Sequence, residues 1–300
     1  PLVCAMSLLR HAVVGLDGSR TSETALTVTL HLIQPGLGRV TGCYVEDESL
    51  RRAAELGTVR TVPAGRGTAV PLSTRRVERS FQDATDYVRW RLNELAHQYS
   101  VDAELKSVEG RPAPALLDMG QAADLVAAGL QGEANDQAHR LGHTPLQLIE
   151  QANSSVLLSP RWVPGLNHVT VYFSDGPDTP VALQWAAYAS YALRAHRVRV
   201  LLPAADDDAY DAQREALRRL RPPADVLWHP VRCAPLAAQR PGTALHRALD
   251  GLVVAPMSFV REEVASVRAF LHEIQQPLLL ARQPDVSSQQ RPQIGMSAVM

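Results

Sequence analysis

Residues 122–160 read AADLVAAGLQGEANDQAHRLGHTPLQLIEQANSSVLLSP, and this stretch decides the fold. A short apolar run ends at Gly129, Gly132 follows three residues later, and Gly142 ten residues after that. A helical pattern and a second apolar run, 156–158, come next. The stretch therefore predicts a strand, a glycine loop, a helix and a strand. Such glycines let a backbone approach a ligand, and the helix start turns free N–H groups toward any phosphate there. A purely structural role for the glycines fits the pattern equally well.

The residues before this stretch alternate between strand and helix. The predicted strands are 11–16, 39–45, 103–108 and 125–128, and the predicted helices are 23–33, 48–56, 79–99 and 113–121. The segment 23–33 is ambiguous, because its apolar residues alternate like a strand and also share one helical face. The alternation of elements indicates a doubly wound parallel sheet, whose ligand crevice lies at the carboxyl ends of the strands. Asp17, Val45 and the segment 129–132 all lie at strand ends, so we expect them to meet in that crevice.

Residues 48–78 have a different character, since they mix six arginines with prolines and glycines. After the short helix at 48–56 we predict a loop. It is either a lid whose arginines reach a phosphate or a solvated excursion of the chain.

After residue 160 the order of elements begins again. The predicted strands are 168–173, 197–202, 226–231, 252–255 and 278–281, and the predicted helices are 180–195, 208–220, 244–249 and 262–274. This repetition indicates two domains, 1–160 and 167–282, joined by a linker at 161–166 and followed by a disordered polar tail at 283–300. The glycine loop does not recur after Val254, and a backbone phosphate cradle is hard to build without it.

Composition excludes several classes of protein. The 300 residues hold 30 basic and 31 acidic side chains, which predicts neither a nucleic-acid surface nor an acidic-membrane surface. No apolar run approaches the roughly 18 residues of a membrane span. Three widely spaced cysteines predict neither a disulfide framework nor a zinc site. The amino-terminal residues are too short for a secretory signal, so we expect a cytoplasmic protein.

Two further segments, together with the glycines, resemble a known family. Residues 13–26, VVGLDGSRTSETAL, and residues 108–129, VEGRPAPALLDMGQAADLVAAG, are similar to segments of universal stress proteins. The nucleotide loop of that family has a glycine, two residues, a glycine, nine residues and a glycine. Gly129, Gly132 and Gly142 have this spacing. The chain therefore resembles a tandem universal stress protein over residues 11–159 and 168–282.

The resemblance implies an α/β fold of two tandem, doubly wound, five-stranded parallel sheets of the adenine-nucleotide α-hydrolase-like type, with 23–33 helical. It implies that Asp17 faces the ribose and the phosphate-metal region, making it the candidate ligand for any magnesium, and that the Val45 backbone bonds the adenine edge. The implied nucleotide-binding residues are Asp17, Val45, Gly129, Gly132, Gly142, His143 and Thr144.

The loop departs from the family at one position and in its charge. His143 replaces the hydroxyl residue that follows the last glycine, and Thr144 comes one place later. Glu133 and Asp136 add negative charge beside the phosphates, which weakens anion binding by about 1 kcal/mol per charge. His143 either donates to phosphate or only begins the helix.

These observations predict a stress-response protein that binds ATP or another adenine nucleotide in its first domain, with a structural second domain. The alternative is a scaffold, or a binder of another small ligand, with both sites degenerate. We expect no enzyme activity beyond, at most, weak ATP hydrolysis. By resemblance, strands 156–158 and 278–281 pair the two domains within the chain, and a homodimer is compatible with this. Cys43 and the tryptophans Trp90, Trp185 and Trp228 are interpreted as packing residues.

Overall fold

A computed structural model describes residues 8–56, 58–61, 69–131, 142–163, 165–195, 197–235, 251–262 and 276–283. The strands are β1 (His11–Gly15), β2 (Arg39–Asp47), β3 (Arg60–Thr61), β4 (Val70–Pro71), β5 (Asp102–Gly110), β6 (Leu125–Gly129), β7 (Ser155–Ser159), β8 (Val169–Tyr172), β9 (Arg197–Pro203), β10 (Leu227–Cys233), β11 (Leu252–Pro256) and β12 (Leu278–Ala281). The helices are α1 (Arg20–Leu32), α2 (Glu48–Glu55), α3 (Thr74–Tyr99), α4 (Pro112–Gly120), α5 (His143–Gln151), α6 (Thr179–Ala192), α7 (Asp207–Arg219) and α8 (Met257–Glu262).

Ten of the strands form one continuous sheet in the order β10-β9-β8-β11-β12-β7-β6-β1-β2-β5. All neighbours are parallel except β7 and β12, which are antiparallel and pair Leu157 with Leu279. Each side of this junction is thus a five-stranded parallel half, and both halves have the same strand order. In the first half the order reverses between β1 and β6, which leaves a crevice at the carboxyl ends of these strands.

The strands nearest the junction, β7, β11 and β12, are buried along their whole length because helices cover both faces of the sheet. Segment 23–33 is helical, as the resemblance implied, and the alternating reading was wrong. Residues 23–32 lie in α1, where Ala25, Leu26 and Thr29 are buried, and Ile33 is its C-cap residue. The Thr29 hydroxyl donates to the Ala25 carbonyl at 2.7 Å, which lets a β-branched polar residue sit inside the core.

Helix α6 of the second half contributes two buried hydrogen bonds to the first half. The indole Nε1 of Trp185 donates to Ser155 Oγ at 3.0 Å, and the Tyr188 hydroxyl donates to the Leu32 carbonyl at 2.7 Å. The two halves therefore share polar contacts as well as the β7–β12 pairing. The packing role predicted for Trp185 is confirmed, since its residue exposure is only 2%.

Several local predictions were wrong. Trp90 is 57% exposed, because it lies on the solvent side of the amphipathic α3. Helix α3 begins at Thr74, and the excursion before it contains the short antiparallel pair β3–β4. The helix after β11 begins at Met257, directly at the strand end, rather than at residue 262.

Other predictions fall outside the described residues. These are the helix at 244–249, the helix at 262–274 beyond its first residue, and the tail beyond residue 283. None of the helices within the described ranges combines the length and the apolar character needed to cross a bilayer.

Candidate functional site

A crevice of about 540 Å³ opens at the carboxyl ends of β1, β2 and β6, beside the start of α5. The sequence-predicted residues that line it are Asp17, Val45, Gly129, Gly142, His143 and Thr144. The seventh predicted residue, Gly132, lies outside the described residues. The fold thus brings together six residues that are up to 127 positions apart in the chain, counted from Asp17 to Thr144.

Apolar residues that the sequence reasoning did not assign to the site also line the crevice. Leu16, Cys43 and Leu116 are among them. Burial raises the pKa of the Cys43 thiol to about 11, so this side chain is neutral at physiological pH. Leu16 and Cys43 lie at or near the ends of predicted strands, and Leu116 lies on the helix after β5. These positions were the signal by which the sequence could have assigned the three residues to the crevice. The crevice is therefore lined by apolar surface with polar groups placed at a few points, as ligand sites generally are.

Val45 presents main-chain groups to the crevice. The Cys43 carbonyl accepts from the Leu16 N–H at 2.9 Å, and Gly15 is the last residue of β1. Backbone groups alternate sides along a strand, so the N–H and C=O of Val45 point to the same side as those of Cys43. Because β1 has ended there, no described backbone group pairs with Val45 on that side. A donor and an acceptor are left facing the crevice.

The amino terminus of α5 presents a second set of main-chain donors. Gly142 is its N-cap residue and donates its own N–H to the Leu130 carbonyl at 2.9 Å. Gly142 has no side chain to cap the helix, and no side chain in the described part of the chain bonds its first N–H groups. The N–H groups of His143 and Thr144 therefore have no partner within the described residues, and Pro145, the third helical residue, has no N–H. Two donors and the positive end of the helix dipole remain at the crevice.

The two described glycines of the loop have different reasons to be glycine. A Cβ atom at Gly129 would lie 2.3 Å from Thr21 Oγ1 and 2.9 Å from the Ser22 nitrogen, so the start of α1 excludes any side chain. Gly142 has φ −65° and ψ 162°, a conformation open to every residue. Its nearest neighbour would be Pro145 Cδ at 3.4 Å. Packing thus requires Gly129, whereas the fold does not require Gly142.

The charged residues on the crevice wall are carboxylates. Asp17 Oδ1 accepts from the Ser19 N–H at 2.9 Å, and Asp47 Oδ1 accepts from the Ser49 N–H at 2.8 Å. Among the described lining residues there is no arginine or lysine. No group of three His, Cys, Asp or Glu side chains that could hold a metal occurs in the described part of the chain. A metal at Asp17 would need ligands from elsewhere, such as phosphate oxygens.

At the corresponding place in the second half, the start of α8 is capped by the side chain of Asp178. Asp178 is 8% exposed and accepts from the Ser258 N–H at 2.7 Å and from the Gln283 N–H at 2.8 Å. Ser258 lies in the first turn of α8, so a carboxylate of the protein already occupies this helix start. A Cβ atom at Gly176 would lie 2.9 Å from Ser258 Oγ, which shows how closely the turn after β8 packs on α8.

Comparison with known proteins finds the same fold. No protein-family model matches this chain, and no curated protein matches it. A universal stress protein from Archaeoglobus fulgidus is similar in structure, with a TM-score of 0.64 and 11% identity over 92% of this chain and 98% of its own. A putative universal stress protein from Pseudomonas aeruginosa gives a TM-score of 0.55 and 11% identity over 92% of this chain and 94% of its own.

A shorter match is a universal stress protein family protein from Arabidopsis thaliana, solved with AMP bound. It covers 51% of this chain and 92% of its own length, with 12% identity and a TM-score of 0.36. The two longer matches span both halves of the sheet. This chain therefore has the fold of the universal stress proteins, with two five-stranded halves in one polypeptide.

Proposed function

We propose that the first half binds an adenine nucleotide in the crevice beside α5. One observation carries the proposal: the main-chain N–H and C=O of Val45 and the amino terminus of α5, none of which has a partner among the described residues on the crevice side, line the same crevice. An N–H beside a C=O matches the hydrogen-bonding edge of adenine, and a free helix start suits a phosphate. In this role α5 supplies the two N–H groups of His143 and Thr144.

The remaining lining residues take roles in the same proposal. Leu16, Cys43 and Leu116 form the apolar wall against which a purine packs. Asp17 has one carboxylate oxygen engaged by Ser19, and its other oxygen is free to accept from a ribose hydroxyl or to join a magnesium ion held by phosphates. We propose no catalytic residue.

The second half is proposed to act as a structural partner. Asp178 accepts from the Ser258 N–H in the first turn of α8. Since α8 corresponds to α5, a phosphate at this helix start would compete with a carboxylate of the protein itself. This role rests on the contrast between a capped and an uncapped helix start, and on the buried contacts that α6 makes with the first half.

The test separates the main-chain donor at residue 143 from the imidazole. Gly142 has ψ 162°, a conformation that also suits a residue before proline, and proline is well tolerated at the first position of a helix. His143→Pro therefore removes the crevice-facing N–H without breaking an intrahelical bond, while His143→Ala removes only the side chain.

Isothermal titration would be run with AMP, adenosine and ATP, the last with and without magnesium, against the unaltered protein and both variants. We expect AMP affinity to fall about tenfold, or ~1.4 kcal/mol, in His143→Pro and little in His143→Ala, with adenosine affinity unchanged in both. We also expect ATP to bind more tightly with magnesium, because the crevice wall carries two carboxylates. The absence of heat with all three ligands would refute nucleotide binding.

A second candidate function is the binding of a small uncharged ligand. It is favoured by the apolar lining together with the two carboxylates and the lack of a described cation on the wall. Adenosine binding that equals or exceeds AMP binding, and is unaffected by His143→Pro, would support this alternative over a phosphate site.

A further inference from the structure

Helix α5 touches the second half at the end opposite the crevice. Arg261 donates from Nε to the Ile149 carbonyl at 3.0 Å and from Nη2 to the Ala152 carbonyl at 3.1 Å. Arg282 donates from Nη1 to the same Ala152 carbonyl. Ala152 is the C-cap residue of α5. Two guanidinium groups from more than 100 positions away thus cover the carboxyl end of this helix.

These contacts supply what α5 lacks in its own sequence. The last carbonyls of a helix have no intrahelical donor, and positive charge near them complements the helix dipole. The last turn of α5 carries no basic residue. Its capping cations therefore come from the other half of the sheet.

One buried carboxylate, that of Asp178, bonds the main chain close to both arginines. Asp178 binds the N–H of Ser258, three positions before Arg261 on α8, and the N–H of Gln283, the residue after Arg282. Burial and the neighbouring Arg282 lower the pKa of the Arg261 guanidinium, while Asp178 acts in the opposite direction. The negative charge of Asp178 thus offsets part of the repulsion between two cations that converge on one carbonyl.

We infer that Arg261 and Arg282 are positioning residues for the crevice: by gripping the carboxyl end of α5 they fix the direction of the N–H groups of His143 and Thr144 at its other end. This inference rests on the proposed function. In this inference the second half of the sheet orients α5, the helix of the first half that faces the ligand.

The mechanism is one of rigidity. The nine residues of α5 span about 13 Å, so a helix released at one end can tilt and shift the donors at the other. A ligand that needs those donors in place then binds more weakly, because it must order them itself. A ligand without a phosphate does not use them and is affected less.

The experiment compares Arg261→Met and Arg282→Met with a matched control, Arg232→Met. Arg232 also donates to two main-chain carbonyls, those of Ala204 and Ala205, but it lies on β10 at the far edge of the sheet. AMP and adenosine affinities are measured by titration, and amide hydrogen exchange of residues 143–151 is followed by mass spectrometry.

We expect AMP affinity to fall about two- to fivefold in Arg261→Met and Arg282→Met, with faster exchange in α5 and adenosine affinity unchanged. Arg232→Met changes neither affinity nor α5 exchange. Arg261→Lys recovers part of the AMP affinity, because it keeps the charge but not the two-pronged geometry. This variant also keeps the test informative if Arg261→Met folds poorly.

Two results would overturn the inference while leaving nucleotide binding intact. One is unchanged AMP affinity in both methionine variants, whatever happens to the exchange of α5. The other is an equal loss of AMP affinity in Arg232→Met. If the unaltered protein binds neither AMP nor adenosine, the proposed function fails and this inference falls with it.

Discussion

Gly129 and Thr21 approach so closely that a single methyl group added to Gly129 would lie 2.3 Å from Thr21 Oγ1. Thr21 cannot easily move aside, because it is buried in the first turn of α1 and its hydroxyl donates to the Gln131 carbonyl. The end of β6 and the start of α1 thus meet in direct contact, and this contact forms one wall of the crevice.

Gly129→Ala should therefore destabilise the protein. We expect the free energy of unfolding to fall by about 1–3 kcal/mol, as measured by denaturant titration, because neighbouring backbone must shift to admit the methyl group. Gly142→Ala is the control and should change it by less than about 0.5 kcal/mol, since its new Cβ would make only ordinary contacts. Equal stability of the two variants would contradict the packing argument.

The free N–H and C=O of Val45 predict a preference for adenine over guanine. Adenine offers an acceptor and an amino donor on its pairing edge, whereas guanine presents the opposite pattern there. We expect AMP to bind at least tenfold more tightly than GMP, a difference of about 1.4 kcal/mol or more. Competition of the two nucleotides in one titration measures the ratio, and a ratio near one would show that Val45 does not read the base.

Tyr188 ties α6 to the end of α1, and its loss should weaken the contact between the halves. In Tyr188→Phe the buried Leu32 carbonyl loses its 2.7 Å donor, so we expect the free energy of unfolding to fall by about 1–2 kcal/mol. Tyr87→Phe is a suitable comparison, because that hydroxyl bonds Glu23 at an exposed position. The exposed variant should lose less than about 0.5 kcal/mol. A loss at Tyr87 as large as that at Tyr188 would argue against this account.

Because the buried Cys43 thiol resists ionisation, we expect the folded protein to lose stability at alkaline pH. Its folded-state pKa of about 11 exceeds the ordinary value of 9.0, so its contribution is complete below pH 9 and is lost as the pH rises toward 11. The slope from one such group is at most about 1.4 kcal/mol per pH unit. Burial also raises the pKa of Cys233 and Tyr188, so the unaltered protein loses stability through several groups.

The measurement is thermal or denaturant unfolding of the unaltered protein and of Cys43→Ala at intervals from pH 8 to pH 11. Cys43→Ala should show a shallower decline over this range, whatever its stability at pH 8. Parallel pH profiles for the two proteins would mean that the Cys43 thiol ionises as readily in the folded chain as in the unfolded one.

Much of the fold could be predicted because its signals are local. Apolar runs at 11–16 and 125–128 predict buried parallel strands, and the repeated order of elements predicts two similar halves. The same logic placed Asp17 and Val45 at strand ends, where a parallel sheet gathers them into one crevice. The helical state of α1 was not decided by periodicity, since both periods fit, and the resemblance was needed to choose between them.

By itself, then, the sequence determined the ten strands of the large sheet, their order along the chain and the residues at the strand ends. Tertiary structure alone decided that Gly129 is required by Thr21, that Asp178 caps the start of α8, and that Arg261 donates to the carbonyls at the end of α5. The physical reason is separation along the chain. Periodicity and capping arise within a few residues, whereas these contacts join groups about 80 to 110 positions apart and exist only once the sheet has set which elements are neighbours.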